Sequence, residues 1–281
     1  MEQASPLSPG SALRQRTLTA LVLAPGVLVA VWWLPTLWLA EVLALVVLLG
    51  AWEWTRLAGL VTPLGRLSYL GVLTLGCVAL WFAHIEGWGP YLLVPVVLGW
   101  VLIAAYLVRV TQIPLAQGMA PGVLALGLPL LWGAWLGVVV LDAMTAHGPL
   151  LVLSLLLLIW GADIAAYFAG RRWGRAKLAP VLSPGKTWVG CYAALVTGGC
   201  VGLGVALWLG VELGQGLALV SICVLTAAVS IVGDLFESLL KRHRGLKDSG
   251  QLLPGHGGML DRIDSMIAAA PVFTLGLWVL L

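Results

Sequence analysis

Residues 149–169 read PLLVLSLLLLIWGADIAAYFA, and Asp163 is their only charged side chain. A run of this length and composition is typical of a transmembrane helix, because about 20 consecutive apolar residues cross the hydrocarbon core of a bilayer. Similar runs recur along the whole chain, which is 61% hydrophobic and only 10% charged. An ordinary soluble domain, with roughly 25% charged residues, is thereby excluded.

We count nine such runs, at about 17–34, 36–55, 67–84, 90–108, 121–141, 149–169, 188–210, 216–237 and 264–281. A backbone in lipid must satisfy its own hydrogen bonds, and these runs are too long for the strands of a membrane barrel. The sequence therefore predicts an all-α, polytopic integral membrane helical bundle with about nine transmembrane helices.

The basic residues predict the orientation of this bundle. With nine spans, all 15 Lys and Arg residues fall on the side of the N-terminus: Arg14, Arg16, Arg56, Arg66, Arg109, Arg171, Arg172, Arg175, Lys177, Lys186, Lys241, Arg242, Arg244, Lys247 and Arg262. Cytosolic segments of membrane proteins carry an excess of Lys and Arg, so we expect a cytosolic N-terminus. The net charge of +3 then reflects topology, and no nucleic-acid partner is expected.

The distribution of polar residues predicts three segments. Residues 1–13 form a disordered cytosolic tail, and residues 14–145 form N-terminal membrane helices that act as a scaffold, with a role in dimerisation. Residues 146–281 form C-terminal membrane helices with a catalytic site at the cytosolic face, because they contain two basic, glycine-rich loops at about 170–187 and 238–263. The first span is longer than the apolar region of a usual signal peptide, so we expect it to be retained.

The end of the eighth span carries the first candidate site residues. Asp234, Ser238 and Lys241 follow the spacing i, i+4, i+7, so they share one helical face. An unpaired carboxylate at membrane depth costs about 2.5–3.5 kcal/mol on insertion scales. Asp234 is therefore either part of a structural ion pair with Lys241 or Arg242, or part of a functional site.

The start of the ninth span carries a second group. Asp261 and Asp264 are three residues apart and follow His256-Gly257-Gly258. A capping role accounts for one acid at a helix N-terminus, but not for both acids together with the preceding motif. The two glycines allow the backbone to approach a ligand closely and to present N–H groups to phosphate oxygens.

The eighth span leaves the membrane at the face where the ninth enters it, so Asp234, Asp261 and Asp264 can converge. Three carboxylates without His or Cys favour a hard cation, Mg²⁺ before Zn²⁺. The intervening cations are either phosphate-neutralising groups or anchors on anionic lipid, and the neighbouring aspartates favour the first interpretation: Lys241, Arg242, Arg244, Lys247 and Arg262.

The other basic loop ends in Ser183-Pro184-Gly185-Lys186-Thr187, just before the seventh span. Its Gly-Lys-Thr is similar to the end of a Walker A loop, but no glycine stands five residues earlier and no strand precedes it, so that interpretation fails. Lys186 can nevertheless reach the same face. Asp163 either faces the site or pairs with Arg171 or Arg172.

These residues together resemble a known family. The pattern Ser238-x-Leu240-Lys241-Arg242, then Lys247-Asp248-x-Gly250-x-x-Leu253-Pro254-x-His256-Gly257-Gly258-Met259-x-Asp261-Arg262-Ile263-Asp264, resembles the signature of the phosphatidate cytidylyltransferases, also called CDP-diacylglycerol synthases. Segments around Asp163, Ser183 to Thr187 and Gly233-Asp234 are also similar. One position departs from the family pattern, because Val189 stands where the family usually has a glutamate.

The resemblance implies that CTP and phosphatidate give CDP-diacylglycerol and pyrophosphate, with Mg²⁺ as cofactor and scope for a second cation. It implies a homodimer in a bacterial-type cytoplasmic (inner) membrane, with the active site facing the cytosol. By this resemblance we expect Asp234, Asp261 and Lys241 to be catalytic, and Asp234, Asp261 and Asp264 to bind metal. Substrate binding is expected from Ser183, Lys186, Thr187, Ser238, Arg242, Lys247, Asp248, His256, Gly257, Gly258 and Arg262.

Two other functions compete. A CTP-dependent kinase of a lipid alcohol would transfer the γ-phosphate and leave CDP. A transporter for an anionic substrate would use intramembrane charge for recognition, but such proteins often show internal repeats with sites near the midplane. Here the polar residues cluster at one face and no repeat is evident, which favours the transferase.

Overall fold

The computed structural model describes residue 21, residues 23–252, Gly255 and residues 257–281. Within these residues the main elements are helices α1 (Leu23–Trp33), α2 (Thr36–Leu57), α3 (Pro63–Ile85), α4 (Gly89–Leu107), α5 (Pro121–Ala143), α6 (Gly148–Trp173), α7 (Trp188–Leu209), α8 (Leu213–His243) and α9 (Leu260–Leu280). Helices α2 to α9 are all long and apolar enough to cross a membrane. The predicted polytopic helical bundle is confirmed.

The first predicted span, 17–34, contains α1, and the residues before 21 lie outside the described part of the chain. The predicted tail, residues 1–13, lies outside it as well.

Several helices extend beyond the apolar runs that predicted them. Helix α6 continues to Trp173, α8 continues to His243, and α9 already begins at Leu260. Hydropathy marks only the part of a helix that is apolar, whereas Lys, Arg and Glu are good helix formers and prolong it into water. The charged residues at the end of α8 therefore lie on a helix and not in a loop.

Helix ends from both halves of the chain meet at one end of the bundle, through Arg244. Its Nε donates a hydrogen bond to the carbonyl oxygen of Leu57 at 2.6 Å, and its guanidinium also donates to that of Gly118 at 2.7 Å. Nearby, the amide of Ala116 donates to the carbonyl oxygen of His243 at 2.7 Å. These contacts join the ends of α2 and α8 to the segment before α5. We call this end of the bundle, where α2 and α8 end and α9 begins, the basic end.

Helices α5 and α9 form the most buried part of the bundle, and α8 packs against both α7 and α9. Small residues allow the close approaches. A methyl group added at Gly137 would lie 3.0 Å from the backbone nitrogen of Pro271, and one added at Gly198 would lie 2.8 Å from the carbonyl oxygen of Cys223. Glycines at such contacts let helix backbones pack closely in a membrane.

A small β-hairpin connects α6 to α7. Strand β1 (Lys177–Ala179) pairs antiparallel with β2 (Ser183–Thr187), with Lys177 opposite Thr187. The sequence predicted only a basic loop here. The hairpin is important because it places Lys186 at the basic end of the bundle, in contact with Asp234 of α8.

Candidate active site

A crevice of about 750 Å³ opens at the basic end between α6, the hairpin, α7 and α8. Its volume falls within the roughly 300–1,000 Å³ that is usual for ligand sites. The chemically important side chains in its wall are Asp163 from α6, Ser183 and Lys186 from the hairpin, and Asp234 from α8. Three separate elements therefore contribute polar groups to one cavity.

The centre of this crevice is an ion pair between Lys186 and Asp234. The Lys186 Nζ lies 2.7 Å from Asp234 Oδ2, and both side chains are partly exposed, by 24% and 29%. On its other side, Asp234 Oδ1 accepts a 3.4 Å hydrogen bond from the Ser238 hydroxyl, one helical turn further along α8. The sequence left open whether Asp234 forms a structural ion pair with Lys241 or Arg242 or belongs to a functional site. Its salt bridge is with Lys186 on the hairpin, so the first of these two alternatives is not what forms.

Asp163 belongs to the same charged group. It lines the crevice and interacts electrostatically with Asp234, Lys186 and Arg262. Arg171, one of its two alternative partners, instead donates a hydrogen bond to the hydroxyl of Tyr167 at 2.7 Å. Of the two interpretations that the sequence allowed, the structure supports the one in which Asp163 faces the site.

Helices α8 and α9 cross closely beside this ion pair, at Gly233. A methyl group added there would lie 2.5 Å from the carbonyl oxygen of Asp264 and 2.9 Å from Ala268 Cβ. This contact brings the carboxylates of Asp264 and Asp234 within electrostatic range of each other. The Asp264 carboxylate also accepts a 2.6 Å hydrogen bond from the amide of Ser265.

A second charged cluster surrounds Lys241, which is buried. Its Nζ lies 2.6 Å from Glu237 Oε2 and 2.7 Å from Asp261 Oδ1. The Asp261 carboxylate also accepts hydrogen bonds from the backbone amides of Ser249, at 3.1 Å, and Gly258, at 2.8 Å. Asp261 therefore ties the start of α9 to the end of α8.

Two acidic residues of this region were not predicted from the sequence as site residues: Glu237 and Glu53. Glu237 lies four residues before Lys241, a spacing that places two helical side chains side by side. Glu53 lies in α2, is only 4% exposed, and accepts hydrogen bonds from Ser249, Met259 and Leu260. The sequence position of Glu53 could have indicated a functional or structural role, since an acidic residue near the end of a long apolar run is unusual.

The other predicted substrate-binding residues have varied surroundings. Arg242 donates to the carbonyl oxygen of Leu246 at 3.0 Å, and the Thr187 hydroxyl caps α7 by accepting from the Gly190 amide at 3.2 Å. Gly257 has a positive φ of 83°, and Lys247, Asp248 and Arg262 are exposed. His256 lies outside the described residues. The substrate contacts of all these residues stay predictions.

The carboxylates of the crevice fit Mg²⁺ in their chemistry. Within the part of the chain that the structure describes, no three His, Cys, Asp or Glu side chains are already arranged as a metal site. Mg²⁺, however, is usually held by one or two carboxylates together with substrate phosphates and water. Asp234, in the crevice wall, and Asp264, which lies within electrostatic range of it, are the candidates for such a pair, whereas the Asp261 oxygens already bind Lys241 and two amides. The convergence of all three carboxylates on one ion stays a prediction.

The fold and the crevice define a class of protein: a polytopic membrane protein with clustered carboxylates and cations at one end of its bundle, suited to a charged, phosphate-bearing ligand. The cytidylyltransferase family matches residues 14–280. This chain therefore belongs to the cytidylyltransferase family.

Individual relatives agree with this membership. A phosphatidate cytidylyltransferase of Pseudomonas aeruginosa is 43% identical over 270 residues, which cover 95% of this chain and 97% of that protein. One from Haemophilus influenzae is 34% identical over 306 aligned positions, covering 93% of this chain and 97% of that protein. One from Brucella melitensis is 48% identical over 127 residues, covering 44% of this chain and 45% of that protein.

Proposed function

We propose that this protein is an enzyme that transfers the cytidylyl group of CTP to phosphatidate and so makes CDP-diacylglycerol and pyrophosphate. Its family membership and its full-length relatives support this reaction. The structural observation that carries the proposal is the crevice in which Lys186, Asp234 and Asp163 meet. A hydrophilic, triphosphate-bearing substrate needs cations, and a cofactor metal needs carboxylates, in one place.

The reaction requires little covalent chemistry from the protein. A phosphate oxygen of phosphatidate, already anionic at neutral pH, attacks the α-phosphorus of CTP and forms a new P–O bond. The bond from the α-phosphorus to the oxygen that bridges it to the β-phosphorus breaks, and pyrophosphate leaves with that electron pair. Positioning and charge neutralisation therefore provide most of the rate enhancement in phosphoryl-type transfers of this kind.

The Lys186–Asp234 ion pair is an exchangeable contact in this proposal. Lys186 lies on a hairpin, and its partner is a partly exposed carboxylate, so an arriving phosphate oxygen can replace Asp234 as the partner of the ammonium group. Asp234 is then available, with Asp264, to hold Mg²⁺. Bound Mg²⁺ would neutralise charge on the phosphates as the transfer proceeds.

The depth of the crevice suits a lipid substrate. Asp163 lies ten residues before Trp173, the last residue of α6, which corresponds to about 15 Å along the helix axis at 1.5 Å per residue. Asp163 thus lies well inside the candidate membrane span α6, while Lys186 reaches the same crevice from the hairpin. Phosphatidate can reach it sideways from the leaflet while its acyl chains remain in lipid.

The buried cluster around Lys241 borders this site and supports it. Lys241 and Asp261 are proposed to act at the reaction centre as the family pattern implies, with Arg242, Lys247, Asp248 and Arg262 contacting substrate. The Lys241 ammonium, placed between Glu237 and Asp261, holds the two helices α8 and α9 in register. The basic end is proposed to face the cytosol of a bacterial-type inner membrane, and the protein to act as a homodimer.

The proposal is tested by incubating the purified protein with CTP, phosphatidate and Mg²⁺ and identifying both products by mass spectrometry. CDP-diacylglycerol together with an equal amount of pyrophosphate is the expected result. Formation of CDP and a phosphorylated lipid would instead indicate a kinase. Movement of an anion across proteoliposomes without consumption of CTP would indicate a transporter.

A further inference from the structure

Glu53 is a buried carboxylate from the N-terminal half of the chain, which was expected to act as a scaffold with a role in dimerisation. It lies near the end of α2 and is 4% exposed. Burying a charged group is costly unless it is hydrogen-bonded, so its partners indicate what it does.

Within the residues that the structure describes, the hydrogen-bond partners of Glu53 belong to the connection between α8 and α9 or to the first residue of α9. Its Oε1 accepts from the amide of Met259 at 3.1 Å, and its Oε2 accepts from the amide of Leu260 at 2.8 Å. Oε2 also accepts from the Ser249 hydroxyl at 2.9 Å. The two amides lie at a helix N-terminus, where backbone N–H groups have no partner within the helix and favour a negative charge.

Helix α9 depends on this carboxylate for its cap, because the residue at its own capping position, Met259, makes no side-chain capping bond. A distant helix thus provides what a local Ser or Asp usually provides.

Two glycines allow the connection to close around the Glu53 side chain. A methyl group added at Gly250 would collide with Glu53 Oε1, and one added at Gly258 would collide with Glu53 Oε2. Any larger residue at either position would therefore displace the carboxylate or the backbone. Gly258 also lies next to the site, since its amide donates a hydrogen bond to the Asp261 carboxylate.

The groups that Glu53 holds are also the groups that hold Asp261. The amide of Ser249 donates to Asp261 Oδ2 at 3.1 Å while its hydroxyl donates to Glu53. The amide of Gly258 donates to Asp261 at 2.8 Å, and Glu53 leaves no room for a side chain at this position. The connection is therefore fixed between two carboxylates, one from α2 and one from α9.

We propose that Glu53 is a positioning residue for the transfer reaction: it fixes the connection between α8 and α9, and through Ser249 and Gly258 it sets the position of Asp261. This inference rests on the proposed function. It also assigns the N-terminal half a direct part in building the site.

The Glu53→Gln variant tests the proposal with almost no change of shape. The three partners in the described part of the chain donate to Glu53 and approach both of its oxygens, whereas an amide has only one oxygen. In either orientation, the amide NH₂ of Gln faces a backbone N–H. The matched control is Glu41→Gln, the same change at an exposed position in the same helix.

We expect Glu53→Gln to reduce kcat/KM for CTP by about 10–100-fold, the usual loss when the partner that orients a site ligand is removed. The KM for CTP and the Mg²⁺ concentration for half-maximal rate should both rise, and CTP binding measured without phosphatidate should weaken. Glu41→Gln should match the wild type in all these quantities. Adding Gly250→Ala to Glu53→Gln should cost less than Gly250→Ala costs alone, because both changes disturb the same contact.

If Glu53 served only as a structural cap of α9, its variant would change stability and leave the kinetic constants unchanged. If Glu53→Gln lowers only the melting temperature or the yield, and leaves the KM for CTP, the Mg²⁺ dependence and CTP binding unchanged, the positioning role is refuted. If the Gln variant does not fold, Ser249→Ala replaces it, with a rise in the KM for CTP expected and an unchanged KM refuting the role. Failure of the wild-type protein to form CDP-diacylglycerol would overturn the proposed function instead, so the two failures are distinguishable.

Discussion

Replacing Asp234 by Asn removes one negative charge from the crevice and changes the shape of the side chain very little. In the structure this carboxylate binds Lys186 at 2.7 Å and accepts from Ser238 at 3.4 Å. Because both members of the ion pair are partly exposed, the pair contributes about 1 kcal/mol or less to stability. We therefore expect the variant to fold and insert normally.

The effect of Asp234→Asn on catalysis should be much larger than its effect on stability. A single preorganised electrostatic group at a transition state is worth about 10²–10³ in kcat, or about 2.7–4 kcal/mol. Asp234 is proposed both to hold Mg²⁺ and to be the exchange partner of Lys186, so we expect a loss of at least this size.

The assay is the rate at which radiolabelled CTP enters the lipid fraction, with the purified protein in detergent and saturating phosphatidate and Mg²⁺. Melting temperature measured on the same samples separates activity from folding. Glu212→Gln is the control, since Glu212 is an exposed carboxylate immediately before the other end of α8. A variant that keeps a third or more of the wild-type rate at every Mg²⁺ concentration would refute the role of Asp234.

Three further changes test other parts of the account. Lys186→Met should lower the rate about 10²–10³-fold with little effect on melting temperature, because it removes a cation that is proposed to move onto the phosphates. Gly233→Leu should destabilise the protein by about 1–3 kcal/mol, seen as a lower melting temperature, because its side chain would collide with the Asp264 carbonyl oxygen where α8 crosses α9. Arg244→Lys should destabilise it by about 1–3 kcal/mol, since Lys cannot donate to the Leu57 carbonyl oxygen and the loop before α5 at once, while the KM for CTP stays unchanged.

Each of these has a clear contrary result. Wild-type turnover in the Lys186 variant would remove the ion-pair exchange from the mechanism. An unchanged melting temperature in the Gly233 variant would mean that α8 and α9 do not cross as described. A raised KM for CTP in the Arg244 variant would mean that this guanidinium contacts substrate, as the cations of its loop were expected to do.

The fold class could be predicted because one physical constraint dominates it. Long apolar runs in a chain with few charges can only be membrane helices, and the clustering of Lys and Arg at alternate loops agrees with that reading. The ends of the helices could be predicted only less accurately than the helices themselves. Hydropathy falls where α8 becomes charged, but the helix continues to His243.

The position of the candidate site could be predicted from the sequence, but the ion pairs and hydrogen bonds between its residues could not. Spacing along a helix indicates that Asp234 and Ser238 share a face, and they do contact each other. Spacing does not indicate which distant element fills that face, so the partnership of Asp234 with Lys186 on a hairpin was missed. The partners of Glu53 could not be predicted for the same reason, because they are nearly 200 residues away or further in the sequence.

The decisive measurement is a structure of the protein with bound CTP and Mg²⁺ in the absence of phosphatidate. We expect a triphosphate in the crevice between α6, α7 and α8, with Mg²⁺ about 2.0–2.1 Å from an oxygen of Asp234 and with Lys186 turned from Asp234 to a phosphate. A nucleotide bound elsewhere, with the Lys186–Asp234 ion pair intact, would contradict it.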